Sequence, residues 1–315
     1  MMKEIIREEM LPNSRKKYYF MAGLPRSGST LLSSILNQNP KMHSGPSSPV
    51  VNIMITLEQE ISNDELFLAY PKPEQAGKII SGIIENYYSD VDSTSIIDKN
   101  RSWVARTHYI EGYFGIEPKI LCPVRNMDEI LTSFIAMHRR NRFNETEKIN
   151  FIDEMLIKNN IPLNDENRCQ FLSGPNGVVG QCYGAIRQAI MEGKQKYLHF
   201  IEYDDLINSP KETMRKIYEF LGEEYFEHDF SKLENVHKEN DTSVYGLPDM
   251  HDVRSELSKV SINPNEILPE SILEKCKDTE FWRKLEDYVE EDFQPDNNIN
   301  SNSTDNKQSE KLIGA

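Results

Sequence analysis

Apolar and polar positions along this chain alternate between two periods. Residues 17–23, Lys-Tyr-Tyr-Phe-Met-Ala-Gly, form a short aromatic and apolar run that stops at glycine. Leu31, Leu32, Ile35 and Leu36 then recur at helical spacing over Thr30–Asn37, with a polar turn in between. Ala76, Ile79, Ile80, Ile83, Ile84 and Tyr87 predict a helix over 73–89. Trp103-Val104-Ala105 and Lys119–Val124 read as short buried strands, the second followed by a helix from Asp128 to about Arg139. A helix over 178–193, a strand over Tyr197–Glu202 and a helix opened by Pro210 and running to Leu221 continue the series. Strands alternating with helices imply an α/β fold, a parallel sheet with helices on both faces.

The pattern weakens in three places. Residues 1–16 read as an N-terminal extension and 17–293 as the domain. Within the domain, 139–180 is less regular, carries Ser173-Gly-Pro-Asn-Gly177, and reads as an insertion or lid. From 294 to 315 the chain is rich in Asn, Ser and Asp with almost nothing to bury, the composition of a disordered tail. No internal repeat interrupts the series.

Composition narrows the function classes. A formal net charge of -15 over 315 residues argues against a nucleic-acid surface, which needs clustered Lys and Arg, but leaves room for a local basic pocket. The charged N-terminus lacks a signal-peptide core, and no apolar run approaches the roughly 18–20 residues of a membrane span. The four cysteines are widely spaced with no CxxC pair, which predicts reduced thiols, a cytoplasmic protein and no metal site.

The chemistry concentrates in Gly23-Leu-Pro25-Arg26-Ser27-Gly28-Ser29-Thr30. Two glycines five positions apart let successive N–H groups turn toward one oxyanion, and the helix that follows adds its positive end. Arg26 contributes a fixed charge; Ser29 and Thr30 contribute hydroxyls. The frame is that of a P-loop and predicts a three-layer P-loop NTPase-like fold. Ser29, however, stands where the nucleotide-binding Lys of a Walker A loop belongs, which points away from Mg-nucleoside triphosphate chemistry.

The run GLPRSGSTLLSSILNQNP resembles the 5'-phosphosulfate loop of the sulfotransferase superfamily, usually PRSGTT or PKSGTT. The resemblance implies 3'-phosphoadenylyl sulfate (PAPS) as donor and adenosine 3',5'-bisphosphate (PAP) as product, with Arg26 as the basic catalytic residue and no metal. It also implies a second phosphate clamp, an Arg after a strand and a Ser eight residues later. Arg125 and Ser133 have that spacing. Arg106-Thr107-His108 resembles the Lys-Thr-His run of the cytosolic branch, whose His removes the acceptor proton; His108 is therefore the expected base. The Glu that other branches carry shortly after the loop is missing from Met42–Val50. Tyr203 resembles the Tyr beside the adenine or 3'-phosphate. Ser258 and Lys259 lie in a stretch reminiscent of a late donor-closing loop, where Asn263 replaces the usual Lys.

These readings converge on sulfuryl transfer to a hydroxyl or amine. The acceptor's class is left open among small molecule, glycan, lipid and peptide, as is assembly into a homo-oligomer. A nucleotide-dependent kinase and a non-catalytic nucleotide- or partner-binding P-loop protein are the rival readings.

Overall fold

The computed structural model describes residues 16–141, 149–234, 237, 239–248, 250–253, 255–258 and 262–285. Five strands, β1 (Lys17–Met21), β2 (Met42–Ser47), β3 (Ser95–Lys99), β4 (Ile120–Val124) and β5 (Leu198–Glu202), form one sheet in the order β2-β3-β1-β4-β5. Every pairing is parallel. A parallel sheet is covered on both faces, so its strands must be apolar in both directions. In β1, Tyr18 and Phe20 pack with Ile96, Trp103, Ile120 and Phe134 on one side. Tyr19 and Met21 pack with Leu32, Ile97, Leu121, Ile201 and Met214 on the other. The two cores are the outer faces of one strand pattern with period 2.

Most of the predicted elements are present. Helices span Ser29–Leu36, Pro73–Tyr87, Met127–Asn141, Val178–Met191 and Pro210–Leu221. Residues 103–105 differ: they lie in a 3-10 helix, Arg101–Arg106, and the strand is the segment just before it. Local polar chemistry decides this. The Asn100 side chain accepts from the Ser102 N–H at 3.0 Å, and the Trp103 indole N–H donates to Asp98 Oδ1 at 2.6 Å, folding the chain back on itself. Asp98 sits in the middle of the sheet and also accepts from the hydroxyls of Ser48 and Tyr88. Burial pushes its pKa up, against the pull of those donors.

The insertion is more regular than its sequence, holding helices Phe151–Lys158 and Asp165–Ser173. Each begins at an Asn whose side chain accepts from the backbone N–H three residues on, Asn150 from Asp153 and Asn164 from Asn167. Residues 1–15 of the extension, 142–148 of the insertion and the whole tail lie outside the described residues. Among the described residues no helix is long and apolar enough to cross a membrane.

The strand order places the functional end. From β1 the chain first builds β2 and β3 on one side, then crosses to β4 and β5 on the other. The carboxyl end of β1 is therefore a topological switch point, where an open α/β sheet leaves a crevice.

Candidate functional site

That crevice is a cavity of about 620 Å³ lined by the chain leaving β1, the ends of β3 and β4, and the first residue after β5. Gly23, Pro25, Arg26, Gly28, Ser29 and Thr30 form its floor. Gly23 has no room for a side chain, because a Cβ there would lie 2.2 Å from the Pro123 carbonyl. Gly28 needs its freedom twice over: φ is +84°, and a Cβ would meet the Tyr203 ring at 2.9 Å. It caps helix Ser29–Leu36, whose first turn holds no acidic residue. Leu24 N–H donates to Pro123 O and Leu32 N–H to Gly28 O. Between them, no backbone N–H of the loop donates to another described residue. Those N–H groups stand at the positive end of helix Ser29–Leu36, where an oxyanion is favoured.

Cations converge above this floor. Arg26 is in the left-handed region at φ 59°, a conformation that disfavours a side chain by about 1 kcal/mol. Its Nε donates to Ser133 Oγ at 3.1 Å and its Nη1 to the Met250 carbonyl. Burial lowers the Arg26 pKa, and the charges of Arg125 and Arg140 lower it further. A bound anion relieves that penalty. Arg125 follows β4, lies over the Tyr203 ring at 4.2 Å and donates to the Arg26 carbonyl at 3.3 Å. Its Nε also pairs with Glu129 at 3.1 Å, so the guanidinium is oriented by protein before any ligand binds. Arg125, before helix Met127–Asn141, and Ser133, within it, thus share one wall, with the buried Thr132 hydroxyl beside them and no partner for its oxygen among the described residues. An orphaned buried hydroxyl in a cationic wall fits an oxyanion ligand.

The remaining sequence candidates divide. Tyr203 and Ser258 line the cavity. Ser27 is buried, and its hydroxyl also has no partner among the described residues. Lys259 lies outside the described residues. His108 is not brought to the cavity. It is exposed on the turn after the 3-10 helix, edge-on to Tyr109, and its charge acts on Glu192, at the C-terminal end of helix Val178–Met191. The segment before the Arg-Thr-His run is a 3-10 helix, Arg101–Arg106, where the sequence predicts a strand. The strand that does reach the crevice, β3, ends at Lys99.

Lys99, Arg101 and His251 line the cavity from segments the sequence did not single out, and Arg140 joins them from the basic cluster Arg139, Arg140 and Arg142, which the sequence offers as a surface for an acidic acceptor. Lys99 Nζ is 3.5 Å from Thr30 Oγ1 and 3.7 Å from Glu239 Oε1. Burial lowers its pKa, opposed by Glu239. His251 is gripped by Asp241, which accepts from its backbone N–H at 2.8 Å and lies 2.6 Å from Nδ1. A carboxylate only accepts, so Nδ1 carries the proton and Nε2 is the basic nitrogen. Glu239 Oε2 stands 3.5 Å from the same Nδ1, and Glu239, Asp241 and His251 together form a cluster of metal-ligand types. Lys99 already supplies a cation to that cluster. Thr30, Lys99, Glu239 and His251 are therefore linked in one chain of contacts across the cavity. Lys99 was legible as the polar end of the apolar run Ser95-Ile-Ile; His251, in an irregular stretch, carries no such signal.

Comparison with known proteins bears on this site. Among curated proteins none matches the chain. Among solved structures it is similar to the sulfotransferase domain of the Synechococcus PCC 7002 olefin synthase, at 16% identity and TM-score 0.47 over 90% of this chain and 98% of that one. A sulfotransferase from Alicyclobacillus acidocaldarius is similar at 14% identity and TM-score 0.43, over 76% and 89%. Retinol dehydratase in complex with androsterone and the inactive cofactor PAP is similar at 13% identity and TM-score 0.42, over 89% and 83%. The model of the sulfotransferase domain matches residues 16–259, which takes in the anion loop, Lys99, the Arg125–Ser133 wall and His251. By that match, over most of its length, the chain belongs to the sulfotransferase domain family.

Proposed function

We propose that this protein transfers a sulfuryl group from PAPS to a hydroxyl or amine acceptor. The observation that carries the reading is the Gly23–Thr30 loop, whose undirected N–H groups share a cavity with Arg26, Lys99 and Arg125. The donor supplies a sulfuryl group already activated on a phosphate. The loop amides, Arg26 and Lys99 bind its phosphosulfate end and stabilise negative charge growing on the bridging oxygen. Preorganised donors of this kind commonly supply the largest share of such a rate enhancement. Arg125, Ser133 and the Thr132 hydroxyl hold the 3'-phosphate, with Tyr203 behind the guanidinium.

The acceptor proton passes to His251 rather than to His108. Asp241 fixes the ring's tautomer and orientation, and Nε2 takes the proton as the acceptor oxygen or nitrogen attacks sulfur. The sulfur–oxygen bond to the phosphate breaks, and the electron pair leaves on that phosphate. Calorimetric titration separates this reading from the kinase. Tight binding of PAP and weak binding of Mg-ATP are expected, together with transfer of labelled sulfate from PAPS to an acceptor. A preference for ATP, or binding of neither nucleotide, would sink the proposal.

A further inference from the structure

A second cavity of about 540 Å³ adjoins the first and shares Ser47, Asn100 and Arg101 with it. Its remaining wall includes Asn52, Ser102, Arg106, Gln181 and Tyr245. The Tyr245 ring lies 5.8 Å from the ring of His251, which places the basic imidazole at the junction of the two spaces. The loop, Lys99 and His251 line the first cavity, and Asn100 and Arg101, next to Lys99 in the chain, line both.

The charge of this wall is unlike that of the molecule. The chain has 51 acidic residues against 36 basic ones, yet among the described lining residues there is no Asp or Glu and there are two Arg. Neither Arg101 nor Arg106 forms an ion pair with a described residue. The Arg106 guanidinium donates to the neighbouring Ala105 carbonyl at 3.3 Å, which keeps it against the cavity wall. Two helices also begin here, Val50–Asn63 after Pro49 and Val178–Met191 after Gly177. Neither has an acidic residue in its first turn or a side-chain cap at its start, so their positive ends add to the field. The lining contains more hydroxyl, amide and guanidinium groups than aliphatic side chains, and suits a hydrophilic ligand rather than a hydrocarbon skeleton.

We infer that this second cavity is the acceptor site and that the acceptor is an anionic hydroxyl compound, its carboxylate or phosphate held by Arg101 and Arg106. The inference rests on the sulfotransferase reading above. A forked guanidinium pairs with planar oxyanions, and the amides of Asn52, Asn100 and Gln181 can hold further hydroxyls so that one of them faces His251. Arg106 lines only the second cavity, whereas Arg101 lines both, so Arg106 is the residue that isolates acceptor binding.

The test measures transfer from labelled PAPS to matched acceptors: glucuronate, glucose 6-phosphate and glucose, then 4-hydroxybenzoate against 4-hydroxybenzamide. Turnover is expected for an anionic member and at least tenfold less for its neutral partner; the first set separates carboxylate from phosphate ester. Arg106→Gln should raise KM for the anionic acceptor about ten- to hundredfold, the loss of one charged hydrogen-bond partner, with PAP affinity unchanged. Arg106→Lys should restore part of it, and a circular dichroism melt confirms folding of both variants. Neutral acceptors preferred, no anionic acceptor turned over, or KM unchanged in Arg106→Gln each overturns the inference. Failure of the wild-type protein to bind PAP marks failure of the parent reading instead.

Discussion

The two cavities differ in how their cations are held. In the first, each of the three nearest the loop is fastened by protein: Arg26 to Ser133 and Met250, Arg125 to Glu129 and the Arg26 carbonyl, Lys99 to Glu239 and Thr30. In the second, Arg101 and Arg106 have no carboxylate among the described residues. A group that must meet a developing charge is best fixed beforehand, since it then costs no reorganisation during the reaction. A group that must accept a ligand of variable shape can be left to the ligand to orient. On the proposed reading, the first wall serves one donor and the second a class of acceptors.

Substitutions can break this contrast one cavity at a time. His251→Ala, at the junction, should have the largest effect: kcat lower by about 10²–10⁴ with PAP affinity retained, the range expected for losing a general base. Near-normal kcat in that variant would remove His251 from the mechanism, and the same assay on His108→Ala, expected to turn over normally, would show whether the base lies there after all. Arg26→Ala should reach the first cavity alone, lowering kcat by about 10²–10³ and weakening PAP, while acceptor KM stays near the wild-type value. An equal change in acceptor KM would mean that the cavities do not divide as described.

Gly23→Ala probes how firmly the floor is built into the core. The added methyl would meet the backbone and ring of Pro123, so a loss of roughly 1–3 kcal/mol in urea unfolding is expected; unchanged stability would show that the loop can move off β4. A control lies away from both cavities. His228 is buried among Tyr218, Phe226 and Phe230, and burial pushes its pKa from 6.5 down to about 4. The unfolded chain binds this proton first, so its contribution to stability is complete above pH 6.5 and is lost as pH falls toward 4. The slope is at most about 1.4 kcal/mol per pH unit. Against His228→Phe, the wild-type protein should lose Tm faster over that window; parallel Tm curves would show that the imidazole is not held neutral.

Some of the site was legible because it is written in contiguous residues. The Gly23–Thr30 loop needs only a turn, unpaired N–H groups and a helix start, all supplied by eight neighbours. Arg125 and Ser133 come to one wall because the chain passes from β4 through Arg125 directly into helix Met127–Asn141, which carries Ser133. β2 was not legible, since Met-His-Ser-Gly-Pro-Ser has no strand pattern and pairs with β3 through an irregular register. The short apolar stretch at 103–105 pointed to a strand, and capping by Asn100 together with the Trp103–Asp98 bond overrode it.

The sequence by itself determined the parallel α/β alternation, the anion loop and the Arg125–Ser133 spacing, because each depends on interactions within one turn or one helix. Tertiary structure decided which other groups meet that loop. Lys99 arrives because β3 pairs with β1, and His251 arrives because Arg26 holds the Met250 carbonyl while Asp241 holds the imidazole. His108, which the local pattern favoured, is exposed on the turn after the 3-10 helix and does not line the first cavity. Convergence of segments 69 to 224 residues apart is set by strand order and by buried polar contacts, and neither is visible in a local run of residues.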